Sequence, residues 1–188
     1  MKWVAGILLF CTLTAVADEK VSICYNYGCY AQAEIVYSDK QMNEIGLLLA
    51  GANDAVQERA VLGVAIGRLL GWAGEQSPIK ADRGGNYADD GVDGRMDCID
   101  HSTSTTRLLR LIDRRGWLRH HRVLESVLRR RFLIFQHYTA QIEELAPAEA
   151  GDGPARYAVD SWFFDNGRPA AVMPLVRWLN GDGPDVDY

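Results

Sequence analysis

The stretch "GRMDCIDHSTSTTRLLRLI" at residues 94–112 is where an acidic, polar loop becomes a helix. Asp97 is a favourable N-cap residue, and Asp100 three positions later forms a variant of the capping box. Leucine and isoleucine recur at helical spacing in the second half of the stretch, and Gly116 predicts the end of the helix. The sequence therefore predicts a helix that begins at about Cys98 and ends before Gly116, with the cysteine in its first turn.

The segment before this helix divides into a helical part and a loop. Residues 39–75 carry apolar side chains at helical intervals, and Gly51, Asn53 and Asp54 interrupt them, which predicts two helices. Residues 76–97 are rich in glycine, aspartate and asparagine and lack apolar periodicity, so they predict a long loop. Loops of this length in small domains are often functional.

Beyond Gly116 the hydrophobic period shifts toward two. Three segments rich in β-branched and aromatic residues, at 121–127, 130–145 and 156–164, predict strands, and "MPLVRWL" at 173–179 predicts a short helix or turn. Helices followed by neighbouring strands indicate an α+β domain, with the N-terminal helices and the Cys98 helix packed on an antiparallel sheet.

The first residues have the pattern of a secretory signal. A basic residue, a short apolar run and "AVA" at 15–17 predict a signal peptide over 1–17 with cleavage before Asp18. The remaining residues, 18–188, have the length of a single domain and contain no second hydrophobic span. We therefore expect a periplasmic or secreted protein with no membrane span after cleavage.

The charge distribution does not favour a nucleic-acid partner. The chain has 25 acidic and 20 basic residues, a net charge of −5. Its basic cluster at 114–122, which continues through Arg129 to Arg131, follows a predicted helix end, where cations complement the helix dipole. We interpret this cluster as a solvated surface that includes His120 and His121.

After signal removal three cysteines remain, namely Cys24, Cys29 and Cys98. The segment "CYNYGCY" at 24–30 contains Asn26 and Gly28, which favour a turn that brings the first two thiols together. The simplest pairing in an oxidising compartment is a Cys24–Cys29 disulfide, which leaves Cys98 free. A redox role for the pair is the alternative, but its spacing is not that of a C-x-x-C motif.

The free Cys98 lies where a nucleophile could be activated. The first turn of a helix presents the positive end of the dipole and unpaired amides, both of which favour a thiolate. A nucleophilic thiol also needs a base and a group that orients the base. His137 and Asp160 fall in consecutive predicted strands, and a hairpin through 145–155 would bring them together. The three residues predict a Cys-His-Asp triad.

This order resembles that of transglutaminase-like, papain-related proteins, in particular exported bacterial transglutaminase-like cysteine peptidases. The resemblance covers about 90–168 and is carried by "MDCIDHSTSTTRLLRLIDRRGWLRHHRV", "QHYTAQI" and "YAVDSWFFDNG". The chain is also similar to a group of exported proteobacterial proteins of uncharacterised activity. The resemblance implies that Cys98 is the nucleophile, His137 the base and Asp160 its orienter.

The same resemblance implies an oxyanion hole and exposes two departures. The Cys98 backbone amide would be one donor, and Gln136 is a candidate for the second. Ile99 stands where the peptidase family usually has an acidic residue, and His137 is followed by Tyr138, where the family has a small residue. These departures bear on the substrate and on any calcium requirement more than on the triad.

A metal site is an alternative interpretation of the loop before Cys98. "DDGVDGRMDCID" at 89–100 has an EF-hand-like spacing that would use Asp89, Asp93, Asp97 and Asp100 as calcium ligands, although Gly91 and Asp100 stand where stronger ligands are expected. The competing interpretation is a plain acidic loop. Zinc bound by Cys98, His101 and His137 lacks any supporting paired-ligand motif.

Two functional hypotheses follow. The first is an exported cysteine hydrolase or acyl transferase without a cofactor, acting through a thioester on amide bonds of a peptide or protein substrate in the cell envelope. The second is a non-catalytic envelope binding or scaffolding protein that keeps the same fold, with or without calcium in the acidic loop. Reactivity of Cys98 that depends on His137 would separate them.

Overall fold

The computed structural model describes residues 18–131, 135–145 and 154–184. The predicted signal peptide over 1–17 lies outside the described residues. Within them, the secondary structure is mixed helix and antiparallel strand, so the prediction of an α+β fold is confirmed at that level.

The elements follow one another in a simple order. A hairpin of β1 and β2 comes first, followed by helices α1 and α2, a short 3-10 turn, the central helix α3, four strands and a last short helix. Their bounds are β1 Glu19–Tyr25, β2 Ala31–Tyr37, α1 Asp39–Ala50, α2 Ala55–Gly74, the 3-10 turn Pro78–Ala81, α3 Cys98–Arg114, β3 His121–Arg131, β4 Phe135–Glu144, β5 Arg156–Asp160, β6 Ala171–Pro174 and α4 Leu175–Leu179.

The two predicted helices of residues 39–75 are confirmed as α1 and α2, and each begins at a capping residue. Ser38 caps α1 in a capping box with Gln41, and Asp54 caps α2 by accepting the Gln57 amide. The gap between these two helices is the glycine- and asparagine-containing segment that the sequence marked as a break.

Helix α3 lies at the centre of the molecule. It contacts the hairpin through β1 and the four-stranded sheet through β3 and β4. Apolar side chains from the hairpin, from all three long helices and from the sheet form one buried cluster around it. The helix ends where Gly116 adopts a left-handed conformation with φ +69°. Because α3 is fixed from several sides, its first turn is a rigid platform for Cys98.

The four strands pair in the order β3-β4-β5-β6, each antiparallel to its neighbour. In the hairpin of β4 and β5, Ala140 pairs with Val159, and this is the last pair before the strands separate. His137 and Asp160 lie just beyond that pair, near the opening between the two strands. This register is what brings a histidine and an aspartate 23 residues apart into contact.

Three features differ from the sequence-based expectations. The segment around "CYNYGCY" belongs to a β-hairpin that was not predicted, with two strands of seven residues each. Strand β5 ends at Asp160, so the aromatic residues after it lie in a turn. The expectation of a surface position for His121 is wrong, because this side chain is 1% exposed.

His121 is buried because it has a buried carboxylate partner. Its Nδ1 lies 2.8 Å from Oε1 of Glu58 in α2. The same carboxylate accepts the backbone N–H groups of Arg119 and His120 at 2.7 and 3.1 Å. Burial acts to raise the pKa of Glu58, but the hydrogen bonds from His121 and from the two amides outweigh burial and hold the pKa below its ordinary value.

No helix within the described ranges is both long enough and apolar enough to cross a bilayer.

Candidate active site

Cys98 is the first residue of α3, where the sequence placed it. Asp97 is the N-cap, and its Oδ1 accepts the amides of Ile99 and Asp100 at 3.0 and 2.9 Å. Asp100 completes the capping box by accepting the Asp97 amide at 3.1 Å. The Cys98 side chain is half-buried and its thiol is free. The thiol is therefore held by a well-capped helix and stays within reach of solvent.

The protonation of Cys98 differs from the expectation. The helix start was predicted to favour a thiolate, but burial raises the pKa of the Cys98 thiol above its ordinary value. Hydrogen bonds from the backbone N–H of Tyr138 and from Cys98's own amide favour the thiolate, while the carboxylates of Asp97 and Asp160 oppose it. The resting group is a neutral thiol, so an attack on a carbonyl needs a base.

His137 and Asp160 form a direct pair. His137 Nε2 lies 2.8 Å from Asp160 Oδ2, and both side chains are buried. The same Oδ2 accepts the indole N–H of Trp178 at 2.8 Å, and Oδ1 accepts the Trp162 amide at 3.1 Å. A carboxylate held by three donors has a fixed position and holds the imidazole in one orientation.

This arrangement defines the tautomer of a neutral His137. Asp160 can only accept a hydrogen bond, so Nε2 carries the proton and Nδ1 keeps a lone pair. Among the described residues, the buried Nδ1 atom has no hydrogen-bond partner. His137 is directly followed by Tyr138, whose backbone N–H reaches the Cys98 sulfur. An imidazole oriented in this way can accept a proton at Nδ1.

Aromatic rings surround the His137–Asp160 pair. The His137 ring centre lies 4.8 Å from Trp162, 5.5 Å from Trp178 and 5.8 Å from Phe163. Tyr87, from the long loop, continues the cluster with a centroid 4.6 Å from Trp162. These rings exclude water from the His137–Asp160 hydrogen bond, which strengthens its electrostatic interaction.

A pocket of about 280 Å³ opens beside His137. Gln136, the candidate for the second oxyanion donor, also lines this pocket. It pairs with Arg130 in the sheet, so its side chain projects from the face opposite to that of His137, and the register does not favour it as a donor. The other described lining residues are Tyr87, Arg129, Arg131 and Phe135. The pocket gives a ligand access to the imidazole from solvent.

The loop between Cys24 and Cys29 is attached to the start of α3. The predicted disulfide between Cys24 and Cys29 is confirmed. The Gly28 amide donates to Asp97 Oδ2 at 3.0 Å, and the Cys29 amide donates to Asp100 Oδ1 at 2.6 Å. Burial of the second carboxylate raises the pKa of Asp100 to about 6. Asp97 and Asp100, the capping-box residues on either side of Cys98 in the sequence, therefore hold the disulfide loop.

The four aspartates proposed as calcium ligands have protein partners. Tyr27 and Arg95 bind Asp89, Asn26 binds Asp93, and the capping box uses Asp97 and Asp100. Within the described residues, the group close enough to share an ion is Cys24, Cys29 and Asp100, and its two sulfur atoms are already joined in the disulfide. The structure does not bring the four predicted ligands together.

His101 belongs to a second buried network. Its Nε2 lies 3.0 Å from Asp82 Oδ2, and its Nδ1 lies 2.9 Å from the Ser161 hydroxyl. Thr105 also hydrogen-bonds Ser161 at 2.9 Å. Because Ser161 follows Asp160 in the chain, this network fixes the end of β5 and the backbone that carries the carboxylate.

Sequence reasoning missed Trp178, Arg129 and Arg131. Trp178 lies in a helix of five residues, and only the fold brings its indole to Asp160. The two arginines were included in a basic run and interpreted as solvated charges. Their alternation along β3, with one residue between them, was a signal that both side chains share a face of the sheet.

Comparisons of the chain with protein-family models, with curated proteins and with solved structures gave no match. The functional argument therefore depends on the geometry of the site.

Proposed function

We propose that this protein is an exported cysteine hydrolase, or an acyl transferase, that acts on amide bonds of a peptide or protein in the cell envelope. The supporting observation is the buried His137–Asp160 pair, whose Nε2–Oδ2 distance is 2.8 Å and whose Nδ1 has no partner among the described residues. Cys98 supplies the nucleophile at the start of α3. In this proposal the fold is transglutaminase-like and related to papain.

The first step is acylation of Cys98. As the sulfur attacks the amide carbon, the thiol proton moves to His137 Nδ1 and a carbon–sulfur bond forms. The tetrahedral oxyanion is stabilised by the Cys98 backbone N–H. His137 then gives the proton to the leaving amine, and the carbon–nitrogen bond breaks to leave a thioester on Cys98.

The second step releases the acyl group. Water, or an acceptor amine in a transferase, attacks the thioester while His137 Nδ1 takes a proton from it. The carbon–sulfur bond breaks, the sulfur regains the proton from His137, and a carboxylic acid or a new amide is released. Asp160 stabilises the imidazolium in both steps by Coulombic attraction across the short hydrogen bond.

Export is part of the proposal. It is supported by the N-terminal signal pattern and by the Cys24–Cys29 disulfide, a bond that persists in oxidising compartments. We propose a periplasmic or secreted location on this basis.

The competing function is a non-catalytic binding or scaffolding protein of the envelope. The observation that favours it is the raised pKa of the Cys98 thiol, which burial causes and which disfavours an active thiolate. In that case the His137–Asp160 pair would serve only to stabilise the sheet.

The decisive test is detection of the acyl-enzyme. The mature protein would be incubated with a peptide library, quenched in acid and analysed by mass spectrometry for an acyl adduct on Cys98. We expect the adduct in the wild type. In His137→Gln we expect minimal accumulation of the adduct and no turnover. In Cys98→Ala we expect no adduct. Peptide cleavage that persists in Cys98→Ala would overturn the proposal.

A further inference from the structure

The pocket beside His137 has an unusual charge for an acidic protein. Its six described lining residues include two arginines, Arg129 and Arg131, and none of the six is acidic. The whole chain has a net charge of −5, so this concentration of positive charge is not a consequence of composition. A pocket of this kind attracts anions.

The sheet register places both arginines beside the imidazole. Arg129 pairs with His137, and Arg131 pairs with Phe135 two positions further along. Directly opposed residues of antiparallel strands project on the same side, as do residues two apart on one strand. Both guanidinium groups therefore extend from the face of the sheet that carries His137.

Among the described residues, Arg129 forms no ion pair with a carboxylate. Its guanidinium donates to the backbone oxygens of Trp178 and Asp182 at 2.6 and 3.0 Å, and it lies over the Trp178 ring at 4.5 Å. These contacts hold the group in place with neutral acceptors.

The two carboxylates whose charges act on Arg129 are those of Asp160 and Asp182, and both already have other donors. Asp160 accepts from His137, from the Trp178 indole and from the Trp162 amide. Asp182 is paired with Arg177 at 2.8 Å. Within the described part of the chain, the positive charge of Arg129 can therefore interact with a bound anion.

We propose that this pocket binds a carboxylate of the substrate, and that the substrate is an acidic peptide whose carboxylate lies next to the bond attacked by Cys98. This inference rests on the proposed function, since it assigns the substrate class of the same site. The planar guanidinium of an arginine matches a carboxylate well. Phe135 and Tyr87 supply apolar contact for the carbon chain that carries the carboxylate.

The first test compares two alkylating agents of the same size and different charge. The rates of Cys98 alkylation by iodoacetate and by iodoacetamide would be measured in the mature protein and in N-acetylcysteine amide, a neutral model thiol. We expect the iodoacetate-to-iodoacetamide ratio to be about fivefold higher for Cys98 than for the model thiol. A ratio equal to that of the model thiol would contradict the inference.

Arginine variants locate the effect. Arg131→Gln removes an exposed charge at the pocket and is expected to lower the rate ratio about threefold. Arg130→Gln is the matched control, because Arg130 is equally exposed on the same strand and points to the other side of the sheet. Equal ratios in the two variants would overturn the assignment of Arg131.

A binding measurement separates this inference from the proposed function. Full-length mature Cys98→Ala would be titrated with N-acetylglutamate amide and with N-acetylglutamine amide, and the Trp178 indole N–H signal followed by NMR. We expect the acidic ligand to bind about fivefold more tightly, with the preference lost in Arg131→Gln. If this preference is found and Cys98 of the wild-type protein is unreactive, the proposed hydrolase is contradicted and the anion pocket is supported. If Cys98 of the wild-type protein is reactive and the acidic ligand is not preferred, the proposed hydrolase is supported and the anion pocket is contradicted.

Discussion

Asp160 shows how much of this site depends on single side chains. Its carboxylate accepts hydrogen bonds from His137, Trp178 and the Trp162 backbone, so one oxygen is shared between an imidazole and an indole. The histidine and the aspartate could be predicted from their order in the sequence. The indole could not, because Trp178 follows Asp160 by 18 residues and reaches it only through the packing of α4.

Removal of the indole donor tests its contribution. In Trp178→Phe the ring packing is largely kept while the hydrogen bond to the buried carboxylate is lost. We expect the free energy of unfolding to fall by about 1–3 kcal/mol. We also expect slower alkylation of Cys98, because His137 is held less firmly. Urea unfolding and alkylation rates measure both effects, with Trp117→Phe as the control. Unchanged values for both in Trp178→Phe would contradict the assigned role.

The protonation of Cys98 gives a second prediction at this scale. The Asp97 carboxylate is one cause of the raised thiol pKa. Asp97→Asn removes its negative charge and keeps an oxygen that can cap the helix. A nearby negative charge disfavours a thiolate, so its removal should lower the pKa of Cys98.

The measurement for this variant is the pH dependence of iodoacetamide alkylation at Cys98. We expect the midpoint of the profile to move to lower pH than in the wild type. Asp93→Asn is the control, because Asp93 is exposed and is not among the causes of the thiol pKa shift. A midpoint that stays in place or moves upward would show that the Asp97 charge does not act on the thiol.

Among the elements, α3 and the disulfide loop work as a unit. Four consecutive residues of the loop, from Asn26 to Cys29, have φ between 60° and 64°. Non-glycine residues adopt this conformation at a cost of about 1 kcal/mol or more each. The disulfide and the hydrogen bonds from the Gly28 and Cys29 amides to the capping box offset that cost.

Loss of the disulfide should therefore affect both stability and the site. For a loop of this size, we expect Cys24→Ala/Cys29→Ala to lower the free energy of unfolding by about 2 kcal/mol. Urea unfolding measures the change, and Cys98→Ala serves as the control for removal of a thiol alone. Hydrogen exchange of the first turn of α3 should also become faster. Identical stability and exchange would contradict the coupling of loop and helix.

Sequence patterns predicted some elements of the fold and not others. Apolar periodicity predicted α1, α2 and α3, and the Asp97 cap was a further signal for α3, because these signals are local. Alternation predicted β3, β4 and β5 but not β6, which has four residues. The hairpin of β1 and β2 was not predicted, although burial alternates along β2. A turn was predicted between Cys24 and Cys29, but its left-handed conformation was not, because tyrosine and cysteine do not favour positive φ. The disulfide and the hydrogen bonds to the capping box stabilise that conformation.

Across the whole molecule, Glu58 and His121 join α2 to the start of the sheet. They are 63 residues apart in sequence, and both side chains are buried, with exposures of 0% and 1%. A histidine in a basic run gave no signal that it would be buried. The glutamate in the first turn of a largely apolar helix was the stronger hint, since a carboxylate that is buried there needs a partner.

Glu58→Gln tests this connection. The variant leaves two amides and an imidazole with a weaker acceptor, so we expect the free energy of unfolding at pH 7 to fall by about 2–4 kcal/mol. The pKa of Glu58 is lowered in the folded protein, so its stabilisation is present above the unfolded value of about 4.3 and is lost as pH falls through the folded value.

The difference between wild type and Glu58→Gln should therefore shrink as pH is lowered from 7 to 3. Chemical unfolding at several pH values measures it. Glu44→Gln is the control, because Glu44 pairs with Arg68 at the surface with both side chains over 40% exposed. Two results would contradict the account. One is a loss of unfolding free energy at pH 7 in Glu58→Gln that is as small as in Glu44→Gln. The other is a loss that grows as the pH is lowered.

The central claim is that His137 acts as the base for Cys98. It is tested most directly by the rate of iodoacetamide alkylation at Cys98 at pH 7.5 in the wild type, in His137→Ala and in a His120→Ala control. Since burial keeps the resting thiol protonated, we predict that His137→Ala reacts at least about tenfold more slowly, while His120→Ala keeps the wild-type rate. Equal rates in all three proteins would contradict the claim and favour a binding protein without catalysis.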